Sequence, residues 1–507
     1  MKNNRSQTSN RASASSARTP GTLLAGRFCI LGLAVLLCAG VVTRGASLGE
    51  KSFWVDEVIT AEASRHGCVQ AVNVAKERKV NPPQTYLSTC LAAKFGITEM
   101  TIRLPSFLFG LIGIAAMVWL GAVVLKRPLD GLVAGALVTV SPFHLFHSQD
   151  ARMYGAFIAF TVLALGFEYR FWESWKRSPG FTRGSLTFLG GWALAVCANL
   201  YTSYFAFFPL VGQGLHVLYK IWRCRSDQKR NTLWLLWVCA LTVVALGYLP
   251  WLPTFLEFVG RNPGQVGADP SLKWKMLRGV YETFGPQSSL GNVLFVVAAT
   301  VGLIKHPRLR RLAVCQTVPV AIYLAFFRPP HFFALRYLAF LIPIYLLLVS
   351  AGLLTWARWF RADPILFGKR QVIYWLACSL AIVAVSWPGL ARYYSYPKQD
   401  WRNAAAFVQE RLQAGDRIIA GKNAVSTCLL HYFRRNPTNG KATILGHIRT
   451  SEQMKAELSE PGRIWFVHAW RTSTPQELLD TVESNFSFQH KFPALTEWGE
   501  IFIFLRK

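Results

Sequence analysis

The sequence is poor in charge, and above all in negative charge. Only 16% of its 507 residues are charged, and just 26 are acidic against 55 basic. A soluble domain carries nearer a quarter charged residues, so a single soluble enzyme is excluded. A disordered chain is excluded by the 52% of apolar residues. The ten cysteines include no Cys-x-x-Cys and no His/Cys ligand spacing, which removes the usual zinc and dithiol motifs. Most of them lie in apolar stretches, where cysteine is a small packing residue. Cys68 and Cys90 pair only if their segment faces an oxidising compartment. No internal repeat is visible.

What the sequence has instead is apolar blocks near the length of about 20 residues that crosses a bilayer as helix. They run Leu24–Thr43, Ile102–Leu125, Gly131–His147, Met153–Tyr169, Leu186–Leu200, Phe205–Tyr219, Leu233–Leu252, Leu290–Ile304, Leu312–Phe327, Tyr337–Trp356 and Val372–Pro388. The block Pro82–Phe95 is too short to span and reads as an interfacial helix. The first block follows a Ser/Asn/Arg-rich stretch and resembles a signal peptide, but Arg44-Gly-Ala-Ser after it is a weak cleavage site, so a retained span is expected. The expectation is a polytopic α-helical membrane protein of about 11–13 transmembrane helices.

The formal charge of +29 would suggest nucleic acid in a soluble chain. Here the basic residues cluster between spans, as in Lys126-Arg127, Lys220-Ile-Trp-Arg-Cys-Arg, Lys305-His-Pro-Arg-Leu-Arg-Arg and Lys369-Arg370. That is the positive-inside pattern, and no nucleic-acid partner is expected. It places the N-terminus in the cytoplasm and, with an odd number of spans, the tail outside. The expected domains are a disordered cytoplasmic tail 1–22, a membrane domain 23–392 with a long outer loop 44–101, and a small outer α/β domain 393–507. In the last, Trp401–Leu412 and Pro475–Ser484 read as helices, and Arg417–Ala420, Ile464–Val467 and Ile501–Leu505 as strands.

Unusual residues gather at the outer side. Six of the 15 acidic residues that precede the tail lie between Arg44 and Thr101, with Asp56 and Glu57 adjacent behind Phe53-Trp54-Val55. Adjacent helical residues point about 100° apart, so at most one of these acids faces a cavity. The other is free for a metal, a basic partner or a helix end. The bland alternative is that both solvate a loop, but interfacial acids tend to be functional. A second cluster is His147-Ser148-Gln149-Asp150-Ala151-Arg152-Met153-Tyr154. Arg152 there either pins a hairpin through Asp150 or grips a phosphate. A third is Arg328-Pro-Pro-His331-Phe-Phe-Ala-Leu-Arg336-Tyr337, whose arginine either snorkels to headgroups or binds phosphate. Asn81-Pro82-Pro83-Gln84-Thr85-Tyr86 closes the first loop. One outward cavity would gather acids, cations and the lining candidates Asn81, Gln84, Tyr86, His147, Gln149, Tyr154 and His331.

At these residues the chain resembles the C-type membrane glycosyltransferases (GT-C fold), in particular the branch of protein O-mannosyltransferases and lipid A aminoarabinose transferases, with its bacterial members. The resemblance spans Trp-Val-Asp56-Glu57, Asn-Pro-Pro-Gln-Thr-Tyr, Ser148-Gln-Asp150-Ala-Arg152-Met-Tyr, the Arg336-Tyr-Leu…Pro343 span and Asp400-Trp-Arg…Gly415-Asp416. It implies a multi-pass protein of the bacterial inner membrane that moves a sugar from a polyprenyl-phosphate donor to a glycan, lipid or protein acceptor at the outer face. Asp56 matches the family's catalytic base, and Glu57 and Asp150 would be supporting acids. Arg152 and Arg336 would bind the donor phosphate, and single attack implies inversion. Asn81 stands where relatives carry a basic residue before Pro-Pro. Some relatives use a divalent metal and others none; with Asp56 and Asp150 both present, the sequence does not decide. The competing readings are a lipid or sugar transporter or flippase, which would place polar groups at mid-membrane in matched halves, and a sensor whose outer domain binds ligand.

Overall fold

The computed structural model describes residues 20–261, 265–266, 270–328, 334–359, 369–435, 442–448, 450–469, 474–495 and 499–507. Nearly all of the expected N-terminal tail lies outside them.

After helix α1 (Pro20–Gly45), the first loop folds into three short helices, α2 (Val55–Ser64), α3 (Cys68–Arg78) and α4 (Gln84–Ala93). Cys68 and Cys90 are disulfide-bonded, tying the start of α3 to α4. The pairing that the sequence made conditional on an oxidising compartment is therefore present and staples the loop. Then come α5 (Glu99–Leu125), α6 (Pro128–Thr139), α7 (Pro142–Ser148), α8 (Tyr154–Arg177), α9 (Arg183–Leu200), α10 (Phe207–Trp222), α11 (Asp227–Tyr248) and α12 (Leu252–Arg261). A two-residue strand β1 (Gln265–Val266), α13 (Pro270–Phe284), α14 (Ser289–Lys305), α15 (Pro307–Phe326), strand β2 (Phe327–Arg328) paired antiparallel with β1, α16 (Ile342–Trp359) and α17 (Lys369–Ser395) complete the membrane part.

Every stretch read as a span is helical. Among the described residues five helical segments are long and apolar enough to cross a membrane by themselves, and two bent pairs raise the number to seven. The other four expected spans fall on α8, α9, α10 and α17, helices of 24, 18, 16 and 27 residues. The stretch Gly131–His147 is not one straight span: α6 and α7 meet at 70°. Pro142 cannot donate to the Val138 carbonyl, and Arg44, fully buried, takes its place by donating to the carbonyls of Val138 at 3.0 Å and Thr139 at 2.9 Å. Helices α14 and α16 approach so closely that a Cβ at Gly302 would strike the Leu348 carbonyl, and one at Gly352 the Ala298 carbonyl. Small residues at such crossings are what membrane helices use in place of a hydrophobic drive.

The tail is a three-layer α/β unit. It comprises α18 (Trp401–Arg411), β3 (Asp416–Ala420), α19 (Asn423–Arg435), β4 (Ala442–His447), α20 (Ser451–Ser459), β5 (Ile464–Ala469), α21 (Gln476–Asn485), β6 (Phe486–Phe492) and β7 (Ile501–Arg506). The sheet order is β4-β3-β5-β7-β6, parallel across the first three strands and antiparallel over the rest. This unit shares one apolar core with the first loop: Phe53, Val58 and Ala61 pack among Trp401, Val425, Leu429 and Tyr432. The loop therefore sits between membrane helices and tail, which holds its acids still.

Candidate functional site

Helix α2 begins beside the membrane helices with both loop acids in its first turn, where the positive end of the helix dipole favours them. They diverge as adjacency requires. Glu57 is fully buried and turns inward: Arg103 of α5 meets it with Nε and Nη2, both at 2.7 Å. Glu57 also accepts from the Ala151 N–H at 2.9 Å and the Trp54 N–H at 3.2 Å. All its acceptor capacity serves structure. The Asp56 side chain keeps 26% exposure and stands 3.7 Å from Arg152 Nη2.

Arg152 is held at the turn between α7 and α8. In the amide orientation that satisfies both its ends, Asn81 accepts from Arg152 Nη2 at 3.0 Å and donates to the Val80 carbonyl. Burial alone would lower the Arg152 guanidinium, yet Asp56 holds it above its ordinary value. Arg336 opens the 3-10 turn Leu335–Leu341 and lies over the rings of Trp54, at 5.7 Å, and Tyr337, at 5.6 Å. Its charge reaches Tyr154, Asp56 and Arg152. The three clusters thus converge at one end of the helix bundle. Around Asp56 the Arg152 Nε, Arg336 Nε and Tyr154 hydroxyl are all buried without a hydrogen-bond partner, an uncommon state for such groups.

Asp150 is fully buried. It accepts from Trp54 Nε1 at 2.8 Å and lies 3.4 Å from Lys398 Nζ and 3.5 Å from His147 Nδ1. Burial would raise its carboxyl, but Lys398, His147 and Trp54 pull it well below the usual carboxylate range. Asp150 therefore aims Trp54, the ring under Arg336. Among the described residues no group of three or more His, Cys, Asp or Glu stands together as a metal site. Asp56 and Asp150, the two acids named for a metal, each face a cation instead, so these donors do not fit a divalent ion.

The lining candidates separate. Asn81 reaches Arg152, and Tyr86 is buried in α4. Gln84 opens α4, half-buried, with its N–H on the Tyr201 carbonyl. His147 packs against Phe143, Phe146 and Tyr154. Gln149 does not line the site. Its amide donates to the Arg44 and Ala46 carbonyls and accepts from the Tyr393 hydroxyl, pinning the end of α1 to α7 and α17. His331 lies outside the described residues. Sequence reasoning missed Arg103 and Lys398. The first is one basic residue among many near span ends; the second, in Tyr-Pro-Lys-Gln-Asp-Trp, has no local sign that two acids meet it.

No protein-family model and no curated protein sequence matches the chain. Solved structures do. ArnT from Cupriavidus metallidurans in the apo state superposes over 95% of this chain and 98% of its own, with TM-score 0.54 and 13% identity. The same protein bound to undecaprenyl phosphate covers 94% and 98%, with TM-score 0.51 and 15% identity. The archaeal oligosaccharyltransferase AglB from Archaeoglobus fulgidus, in complex with an inhibitory peptide and a dolichol-phosphate, covers 91% of this chain and 72% of its own, with TM-score 0.56 and 11% identity. The chain has the C-type membrane glycosyltransferase fold.

Proposed function

We propose that this protein is a membrane glycosyltransferase that moves a sugar from a polyprenyl-phosphate donor to an acceptor hydroxyl at the outer face, with inversion and with Asp56 as base. The observation that carries the reading is the set of unpartnered donors, Arg152 Nε, Arg336 Nε and the Tyr154 hydroxyl, around a half-exposed carboxylate. Such donors suit phosphate oxygens. Two neighbours of the same fold were solved with an undecaprenyl or dolichol phosphate bound, which supports the same class of donor here.

In the reaction the acceptor oxygen attacks the anomeric carbon while its proton passes to Asp56. The bond from that carbon to the phosphate oxygen breaks, and polyprenyl phosphate leaves with the electron pair. Charge grows on the phosphate in the transition state, and Arg152 and Arg336 meet it in this reading. Arg152 faces Asp56; an entering phosphate competes for its Nη2 and leaves the carboxylate free to take the proton. One displacement inverts the anomeric configuration. Glu57 and Asp150 act on the site only by position, the first through Arg103 and the second through Trp54.

The test supplies membranes containing the protein with a panel of labelled polyprenyl-phosphate sugars. One label should leave the lipid for an acceptor with the wild type and stay on it with Asp56→Asn. Movement of intact labelled lipid between leaflets, with no loss of sugar, would replace this reading with the flippase.

A further inference from the structure

A second charged site lies at the far end of the same helices. Helix α5 carries Arg103 near its start, beside the Asp56 site, and runs 27 residues from Glu99, about 40 Å at 1.5 Å per residue. At its other end a small cleft, open at the mouth, lies between α5, α8, α10 and α15. Five cations line it: Lys126, Lys176, Lys220, Arg308 and Arg311. Among the described residues no hydrogen bond or ion pair joins any of the five to a carboxylate. The nearby acids are already engaged, Glu173 with Arg170 at 2.7 Å and Glu168 with His216 at 2.5 Å. Arg311 Nε is buried without an acceptor.

Five cations share the cleft with one carboxylate, Glu173, which pairs with Arg170, so positive charge is in excess there. Burial, with Lys176 and Arg311 nearby, pushes the Lys220 ammonium down to about 8. Two of the arginines stand on the first turns of α15, which begins at Pro307, and the positive end of that helix adds to the field. The wall below the cations is apolar, formed by Val123, Val124 and Trp172, and Lys220 lies over the Trp172 ring at 5.8 Å. Trp222, 78% exposed at the end of α10, marks the depth at which aromatic side chains meet headgroups.

We propose that this cleft binds the phosphate of an anionic phospholipid in the leaflet opposite the Asp56 site. The arginines grip the phosphate oxygens, the lysines supply the field, and the glycerol and upper acyl carbons rest on Val123, Val124 and Trp172. The apolar wall and the depth favour a lipid over a free phosphate ion.

The full chain in detergent is titrated with dihexanoyl phosphatidylglycerol, dihexanoyl phosphatidylcholine and inorganic phosphate, with tryptophan fluorescence as readout. Phosphatidylglycerol should bind at least about tenfold more tightly than either comparator. The double variant Lys176→Gln/Arg308→Gln alters only exposed side chains and should lose roughly thirtyfold of that affinity, since each basic residue near an anionic surface contributes on the order of 1 kcal/mol. Equal binding of the two lipids, or unchanged affinity in the double variant, overturns the proposal. Inorganic phosphate binding as tightly as phosphatidylglycerol also overturns it, in favour of a soluble anion.

Discussion

Glu57 and Arg103 form a bidentate ion pair with neither side chain more than 1% exposed. Arg103 also donates to the Leu48, Lys51 and Ser52 carbonyls, and Glu57 accepts from the Ala151 N–H. One pair therefore fastens the end of the first loop, the start of α2, the mouth of α5 and the turn that carries Arg152. Buried pairs contribute little net stability, yet removing one partner strands the other charge.

Glu57→Gln should accordingly lower stability by roughly 3–5 kcal/mol, the usual cost of breaking a buried pair. Thermal unfolding in detergent reads this directly. Well below the new midpoint, transfer should stay within about tenfold of wild type, because Glu57 touches no reacting atom. A variant with wild-type stability and no transfer would give Glu57 a chemical role instead.

Arg152→Ala and Arg336→Ala should each lower turnover of the lipid-phosphate donor by roughly 10²–10³, the loss seen when one transition-state donor is removed. Lysine at either place restores charge but not the fork, so recovery should be partial. Normal donor turnover in both alanine variants would mean that the phosphate binds elsewhere.

The junction of loop and tail should respond to acid. Glu62 on α2 accepts from His431 Nδ1 and Arg434 Nη1 of α19, both at 2.6 Å. Burial would raise its carboxyl, but hydrogen bonds from His431 and Arg65 hold it down at about 2, against an ordinary 4.5. With the folded value depressed, the stabilisation is present above pH 4.5 and is lost as pH falls toward 2. Limited proteolysis of the tail should accelerate across that window in the wild type. In Glu62→Gln it should be faster at neutral pH and less dependent on acid; an identical pH profile would remove Glu62 from the junction.

How much of this was legible in the sequence depends on how local each signal is. Span position follows from block length, and the strands at Ile418 and Trp465 from short apolar runs. The strands Ala442–His447 and Phe486–Phe492 were missed because the first mixes Gly and Thr, and the second alternates with exposed polar residues. Asp56, Arg152 and Arg336 stood out because charge at a membrane edge is costly wherever it points. Direction is another matter. Gln149 and Arg152 lie in one polar run, yet one pins backbone and the other faces Asp56; only the bend at Pro142 decides which. Lys398 meets Asp150 across 248 residues, counting from their positions in the chain, and no spacing rule reports such a pairing.

The charge asymmetry of the loops predicts sidedness. Reporter fusions should place Lys220–Arg230 in the cytoplasm and the tail after Arg392 outside. The tail and the Asp56 site must lie on the same side, because the tail shares a core with the loop that carries Asp56. A cytoplasmic tail would therefore turn the Asp56 site inward and end the scheme of transfer at the outer face.

Asp56→Asn is the sharpest test. The exchange keeps size and one acceptor oxygen but removes the base, so transfer should fall by roughly 10²–10⁴, the usual worth of general-base catalysis. Folding should survive, because the side chain is 26% exposed and its ionic contact with Arg152, at 3.7 Å, is long. Donor binding should persist or tighten, since Arg152 no longer has a carboxylate to face. Asp150→Asn separates chemistry from support. That carboxylate is buried against Lys398 and Trp54, so its loss should lower the unfolding temperature and cost transfer less than the Asp56 change. Near-normal transfer by Asp56→Asn, with Asp150→Asn inactive yet fully stable, would move the base to Asp150 and overturn the assignment.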